Sequence, residues 1–152
     1  VLKPEETEAP AFLVNALYDG NRVLYFLTQN MVKGLVGNDI LAKALQDAKD
    51  AGLRPAIYTH PLGSYGHSAG TTIGMWDAQG GVLKDDGENY PLNPNTAYAI
   101  ELNTTVNIPE WNRDIRIMLE EAGFFGEDGF RYVNGRQTEF LLIPRPKSHL
   151  GN

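Results

Sequence analysis

The first third of the chain has apolar residues spaced with a helical period. From Phe12 onward, apolar side chains recur at steps of three and four residues, which predicts a first helix extending to about Val32. Gly34 can end this helix, and Asn38 can cap a second one over residues 39–52. The apolar residues of this second helix also fall on one side, which predicts two helices that each pack one face against another part of the molecule.

After residue 52 the pattern changes from helices to strands. Residues 54–60 are β-prone and predict a short strand that ends close to His60. Residues 95–108 alternate in character, which predicts a strand with Glu101 on one face and Ile100 and Leu102 on the other. Further strands are predicted over residues 114–125, 130–135 and 136–144, with a turn at 126–129. Two helices followed by an antiparallel set of strands indicate an α+β fold, and the polar loop at 75–95 has a length typical of functional or mobile loops.

Composition narrows the classes of function. The chain has 152 residues, about one domain, with 42% hydrophobic residues and a net charge of −6. It contains no cluster of Lys and Arg, which argues against a nucleic-acid surface, and no apolar run approaches the roughly twenty residues of a membrane span. Because there is no cysteine, any metal would have to be bound by His and carboxylate side chains. Cellular location stays open between the cytoplasm and export.

Two histidines and several carboxylates are the candidate functional residues. The segment THPLGSYGHSAG places His60 and His67 seven residues apart among glycines. Glu101 lies between apolar neighbours, where a buried carboxylate is costly unless a cation or hydrogen bonds compensate its charge. If instead only one face of the antiparallel sheet is packed and Glu101 lies on the solvent-exposed face, its carboxylate stays hydrated and needs no metal. Glu120 and Glu121 end a later strand, and only one of these neighbours can point to the same face as Glu101.

These features together resemble the pita-bread metallopeptidases, the family of methionine aminopeptidases, aminopeptidase P and prolidases. The resemblance spans most of the chain in the family's order. It implies the C-terminal part of a pita-bread (creatinase/aminopeptidase) fold, in which helices pack on a curved antiparallel sheet. The matching features are a helical lead-in over 30–52, a His-x-x-Gly-x-x-x-His motif at His60, Gly63 and His67, a central-strand Glu101, Glu120 nine residues before Gly129, and a terminal strand over 138–145.

The resemblance also implies a role for each residue that it matches. His60, Glu101 and Glu120 become metal ligands, with Glu120 bridging two divalent ions and Glu121 its competitor. The ions would be Mn, Co, Fe or Zn. His67 would hydrogen-bond the scissile peptide, so that His67 and Glu120 are the catalytic residues. Tyr65 is either a substrate contact or an aromatic residue packed on the surface.

The implied function is metal-dependent aminopeptidase or dipeptidase activity of the Xaa-Pro type, with a peptide substrate and with a homodimer left open. The family also uses two aspartates on a hairpin before the helices, whereas the helices here begin almost at residue 1. We therefore interpret residues 1–152 as the C-terminal portion of one catalytic domain, without that hairpin or an N-terminal domain, and expect weak metal binding and little activity from this portion alone. Pro61 and Leu102 depart from the family's usual Gly and Pro, which affects the expected substrate class more than the fold.

Three alternatives accompany this interpretation. The first is a non-catalytic pita-bread module that only binds its partner. The second is a mononuclear hydrolase complete within the chain, using His60, His67 and one glutamate. The third is a creatinase-like use of the same scaffold.

Overall fold

The computed structural model describes residues 1–74 and 90–145 as two helices followed by one antiparallel sheet. The strands lie in the sheet in chain order, β1-β2-β3-β4, and each pairs antiparallel with its neighbour. The predicted α+β arrangement is confirmed at this level. The elements are α1 (Ala11–Asn30), α2 (Gly37–Asp50), β1 (Pro55–Pro61), β2 (Thr96–Ile108), a 3₁₀ turn (Pro109–Trp111), β3 (Arg113–Gly126) and β4 (Gly129–Tyr132).

The start of α2 differs from the prediction. Val36, not Asn38, is the N-cap residue, so the predicted cap is wrong. Val36 is extended and forms an isolated β-bridge with Pro91, which fixes the backbone immediately before the helix. A Cβ atom on Gly37 would overlap the backbone carbonyl oxygen of Thr72, so this glycine lets another segment approach the first turn. A contact between distant segments therefore decides where the helix begins.

Both helices pack on one face of the sheet, and among the described residues no helix covers the other face. In β2, Tyr98, Ile100 and Leu102 are buried on the helix side. Gly20 of α1 lies close to β3, because a Cβ atom there would be 3.0 Å from side-chain atoms of Ile117. This packing buries a single apolar cluster that includes Leu17, Val23, Leu24, Leu27, Ile40, Leu41, Leu45, Ile57, Ile100 and Leu102.

The predicted last strand over residues 136–144 is absent from the described part of the chain. β4 ends at Tyr132, and the segment after it runs without strand structure to residue 145. Its polar groups bind other elements instead: the Gln137 backbone N–H donates to the Glu121 carboxylate at 2.6 Å, and the Gln137 carbonyl accepts from Asn21 of α1 at 2.9 Å. Gln137 is therefore held by one side chain of α1 and one side chain of β3.

The predicted long loop at 75–95 falls largely outside the described residues, since 75–89 are not among them. Its described end, residues 90–95, includes Leu92, which is fully buried and donates its backbone N–H to Leu35 at 2.8 Å. Within residues 1–74 and 90–145, no helix combines the length and the apolar character that crossing a membrane requires.

Candidate functional site

The candidate residues meet on the face of the sheet that the helices do not cover. Tyr58 of β1 pairs with Glu101 of β2, which in turn pairs with Glu120 of β3. Directly opposed residues of antiparallel strands point to the same face, so these three side chains form one row across the sheet. His60 lies two residues beyond Tyr58 and therefore shares this face, opposite Ala99. The sheet register thus gathers side chains from three separate parts of the sequence.

His60 and Glu101 are in direct contact. The His60 Nε2 atom lies 2.8 Å from Oε1 of Glu101, across the diagonal between β1 and β2. His60 is only 4% exposed, although it is on the uncovered face, while the Glu101 side chain is 29% exposed. The small side chain of Ala99 occupies the position opposite His60. The pair is therefore formed by a buried imidazole and a carboxylate that reaches solvent.

Both nitrogens of the His60 ring lie close to oxygen atoms. Nδ1 is 3.0 Å from the backbone carbonyl oxygen of Pro61, and Nε2 faces a carboxylate oxygen of Glu101. Both oxygens accept hydrogen bonds, so a neutral imidazole, which has a single N–H, can donate to one of them at a time. If that hydrogen is on Nδ1, Nε2 and the carboxylate are two facing acceptors, and a shared proton or a shared cation would satisfy both.

Glu120 and Glu121 occupy different environments. Glu120 is exposed on the uncovered face opposite Glu101. Glu121 pairs with Ile100, points to the other face, and accepts the Gln137 backbone N–H. Glu120 is thus the one of the two that shares a face with His60. Even so, within residues 1–74 and 90–145 no three or more His, Cys, Asp or Glu side chains are close enough to hold a metal ion. The described geometry brings together a pair of donors with a third carboxylate on the adjacent strand.

His67 lies over His60. Their rings stack with centroids 4.0 Å apart and planes 11° from parallel. The His67 Nε2 atom is 3.1 Å from the hydroxyl oxygen of Tyr58. A metal ion binds a histidine nitrogen in the plane of its ring, so two stacked rings are poorly arranged to share one ion. Tyr65, the other predicted substrate contact, is 99% exposed.

The loop that carries His67 is held against the end of β1. The Ser68 backbone N–H donates to the Pro61 carbonyl at 3.0 Å, and the same carbonyl oxygen lies 3.0 Å from His60 Nδ1. Farther along, Thr59 and Ile73 exchange two backbone hydrogen bonds of 2.9 and 2.8 Å. The segment after His60 therefore doubles back beside β1, and one carbonyl oxygen links the orientation of the first histidine to the loop that carries the second.

Sequence reasoning missed Tyr58. Its strand position, two residues before His60, was a usable signal because alternate residues of a strand share a face. A cavity of about 740 Å³ lies elsewhere, between the N-terminal segment, the start of α1 and residues 140–143. Lys3, Glu6 and Glu110 are among the residues that line it. None of the candidate residues lines this cavity.

No protein-family model, curated protein or solved structure matches this chain.

Proposed function

We propose that this chain contributes His60, Glu101 and Glu120 to the divalent-metal site of a peptidase, an aminopeptidase or dipeptidase of the Xaa-Pro type within a pita-bread fold. One observation carries the proposal. Nε2 of His60 lies 2.8 Å from the Glu101 carboxylate, and Nδ1 of the same ring lies 3.0 Å from the Pro61 carbonyl oxygen. With the hydrogen of the neutral ring on Nδ1, Nε2 and the carboxylate are both acceptors, and a cation bound by both would satisfy them.

The donors fit a transition metal. A neutral imidazole with carboxylates suits Mn, Fe, Co or Zn, whereas Mg and Ca prefer oxygen donors alone. A hydrogen bond from His60 Nδ1 to the Pro61 carbonyl oxygen, 3.0 Å away, would be the kind of outer contact that fixes the tautomer and ring orientation of a metal-binding histidine. Among the described residues, Glu120 is exposed and the Glu101 side chain is partly exposed, so an ion and a substrate can reach both carboxylates.

Each residue then has a role in hydrolysis. When bound, the metal ions supply a water of lowered pKa and polarise the peptide carbonyl. His60 and Glu101 hold the site. The exposed carboxylate of Glu120 accepts a proton from the attacking water and returns it to the leaving nitrogen, as a general base and then a general acid. His67, stacked over His60, hydrogen-bonds the substrate.

The first test locates metal binding without requiring activity. Mn²⁺ is added in small amounts to ¹⁵N-labelled protein, and its paramagnetic broadening of backbone signals is mapped. We expect broadening centred on β1 and β2 around His60 and Glu101, lost in His60→Ala and retained in His67→Ala. Broadening elsewhere, or broadening that His60→Ala leaves unchanged, would contradict the proposed site.

The second test concerns catalysis. The described residues bring only His60 and Glu101 into direct contact, and no three candidate ligands are grouped there, so we expect residues 1–152 alone to bind Mn²⁺ weakly and to hydrolyse Xaa-Pro peptides little or not at all. Ordinary turnover that His60→Ala abolishes would instead show a catalytic site complete within the chain.

One observation favours the alternative of a non-catalytic binding module. Glu120 is not gathered with His60 and Glu101 into a three-residue group. A module of this kind would bind a proline-containing peptide without any Mn²⁺ broadening near His60. Peptide titrations followed by the same spectra, with and without metal, distinguish the two functions.

A further inference from the structure

Tyr58 contacts both histidines. Its hydroxyl oxygen lies 3.1 Å from Nε2 of His67, and its ring centroid is 5.1 Å from that of His60. Tyr58 lies on β1, whereas His67 is in an exposed loop. The contact therefore joins a side chain of the loop to a side chain of the sheet.

The surroundings of His67 show why such a tie matters. The loop contains Gly63 and Gly66, and the His67 side chain is exposed, so its ring would sample several orientations if nothing held it. Two contacts restrict it: the stack on His60 fixes the plane of the ring, and the Tyr58 hydroxyl engages one of its two nitrogens. Stacking alone would leave the ring free to flip about χ2, because either of its faces can stack on His60.

We propose that Tyr58 is a positioning residue that donates its hydroxyl hydrogen to Nε2 of His67 and so holds this imidazole as the Nδ1–H tautomer. Phenol is a stronger acid than neutral imidazole, and the bare imidazole nitrogen is a stronger base than the phenol oxygen, so the hydrogen bond runs in this direction. The hydrogen bond at one ring nitrogen determines which nitrogen carries the proton. Nδ1–H is then the donor that His67 presents to a ligand.

This proposal names the chemistry that His67 recognises. A ring held as an Nδ1–H donor fits an acceptor such as a peptide carbonyl oxygen, and it disfavours a ligand N–H at the same position. The identity of that acceptor rests on the proposed peptidase function. The tautomer itself depends only on Tyr58 and His67, so it can be tested separately.

The experiment reads the tautomer directly. Ring ¹⁵N shifts of His67 are recorded at about pH 9, where an ordinary imidazole is neutral, with assignment by His67→Gln. We expect a protonated Nδ1 and an unprotonated Nε2 in the wild-type chain. In Tyr58→Phe the ratio of the two tautomers should fall about fivefold, the effect of one hydrogen bond of ordinary net strength. Tyr18→Phe, an exposed tyrosine of α1, is the matched control and should leave the His67 signals unchanged.

Two results would overturn the proposal. One is a wild-type His67 in the Nε2–H form, and this measurement decides the matter even if Tyr58→Phe fails to fold. The other is a folded Tyr58→Phe with an unaltered tautomer ratio, since a phenylalanine fills the same space without the hydroxyl. Failure of Mn²⁺ to bind near His60 would contradict the peptidase function and leave the tautomer result standing, so the two failures are distinguishable.

Discussion

Gly63 and Gly66 serve different physical purposes in the segment between the two histidines. A Cβ atom on Gly63 would overlap the His67 carbonyl oxygen and lie 2.8 Å from Cβ of Ser68, so this residue must be small. Gly66 has a φ of +91°, a backbone conformation that favours glycine, and nothing crowds the space beside it. The spacing His-x-x-Gly-x-x-x-His therefore describes a loop that folds onto its own start, because Gly63 touches the backbone at His67.

The variant Gly63→Ala should separate this loop from β1. The added methyl group has backbone as its neighbour, which cannot move aside as a side-chain end can, so we expect a loss of about 1–3 kcal/mol in the free energy of unfolding. The His67 ring should leave its stack on His60, which NMR shifts of both rings would report. Ser64→Ala, at the exposed neighbouring position, is the control and should change neither quantity. A stable variant with unchanged ring shifts would disprove the steric role.

The packing of α1 on the sheet depends on Gly20. A Cβ atom there would be 3.0 Å from side-chain atoms of both Ile117 and Leu119 of β3. The sequence alone suggests that this glycine weakens the helix, since glycine is a poor helix former. The tertiary structure gives a reason for its presence, which is the close approach of helix and strand.

Gly20→Val should therefore destabilise the protein although valine forms helices better than glycine does. The branched side chain overfills the contact with β3, with an expected cost of about 1–3 kcal/mol measured by urea unfolding. Asn15→Val, at an exposed position on the same helix, should stay within about 0.5 kcal/mol of the wild type. Equal effects of the two substitutions would indicate that the contact with β3 has no energetic role.

A charged cluster joins the beginning of β1 to the far end of the β2–β3 ladder. The Arg54 guanidinium donates to the Asp114 carboxylate at 2.5 Å and to the Thr105 carbonyl at 3.1 Å, and Asn107 donates to the same carboxylate at 3.0 Å. The Arg54 hydrogen bond, followed by that of Asn107, lowers the pKa of Asp114 from 3.8 to about 2.

The depressed pKa of Asp114 predicts a contribution to acid stability. The Asp114 carboxylate binds a proton less readily in the folded form than in the unfolded form. Its contribution to the free energy of unfolding is therefore complete above about pH 4 and is lost as the pH falls toward 2. Because both side chains are exposed, we expect the effect to be small. A carboxyl ¹³C titration of Asp114 should give a midpoint near 2, shifted toward 4 in Arg54→Gln. An unshifted midpoint in that variant would remove Arg54 as the cause.

The stability of the whole molecule depends on alkaline pH through the buried phenol of Tyr98. Burial raises the pKa of Tyr98 from 10.0 to about 12, partly offset by a hydrogen bond with Thr71. The unfolded chain therefore loses this proton near pH 10 while the folded chain keeps it. The resulting stability is complete below pH 10 and is lost as the pH rises through about 12.

This predicts that the urea midpoint falls between pH 10 and pH 12, and that part of the fall disappears in Tyr98→Phe. Burial also raises the pKa of Tyr132, so some dependence should persist in that variant. Tyr18→Phe, at an exposed site, should retain the wild-type profile. If the urea midpoint varied with pH in the same way in Tyr98→Phe and Tyr18→Phe, Tyr98 would not be the source of the alkaline loss of stability.

The sequence by itself determined the parts of this protein that depend on local periodicity. The 3.6-residue apolar repeat located α1 and α2 to within a few residues, and the alternation across 95–108 put Ile100 and Glu101 on opposite faces of β2. The sequence also limited any metal ligands to His and carboxylate, because the chain has no cysteine. These properties follow from neighbouring residues alone.

Tertiary structure decided everything that depends on which distant segments meet. Val36 starts α2 because it bridges to Pro91, and residues 136–144 pair with α1 and Glu121 instead of extending the sheet. The β1–β2 register turned His60 and Glu101 into a contact pair. The loop after β1 folds back on the strand and brings His67 to Tyr58. Strand register and the contacts between distant segments are set by long-range packing. For this reason only the folded chain shows which side chains surround His60.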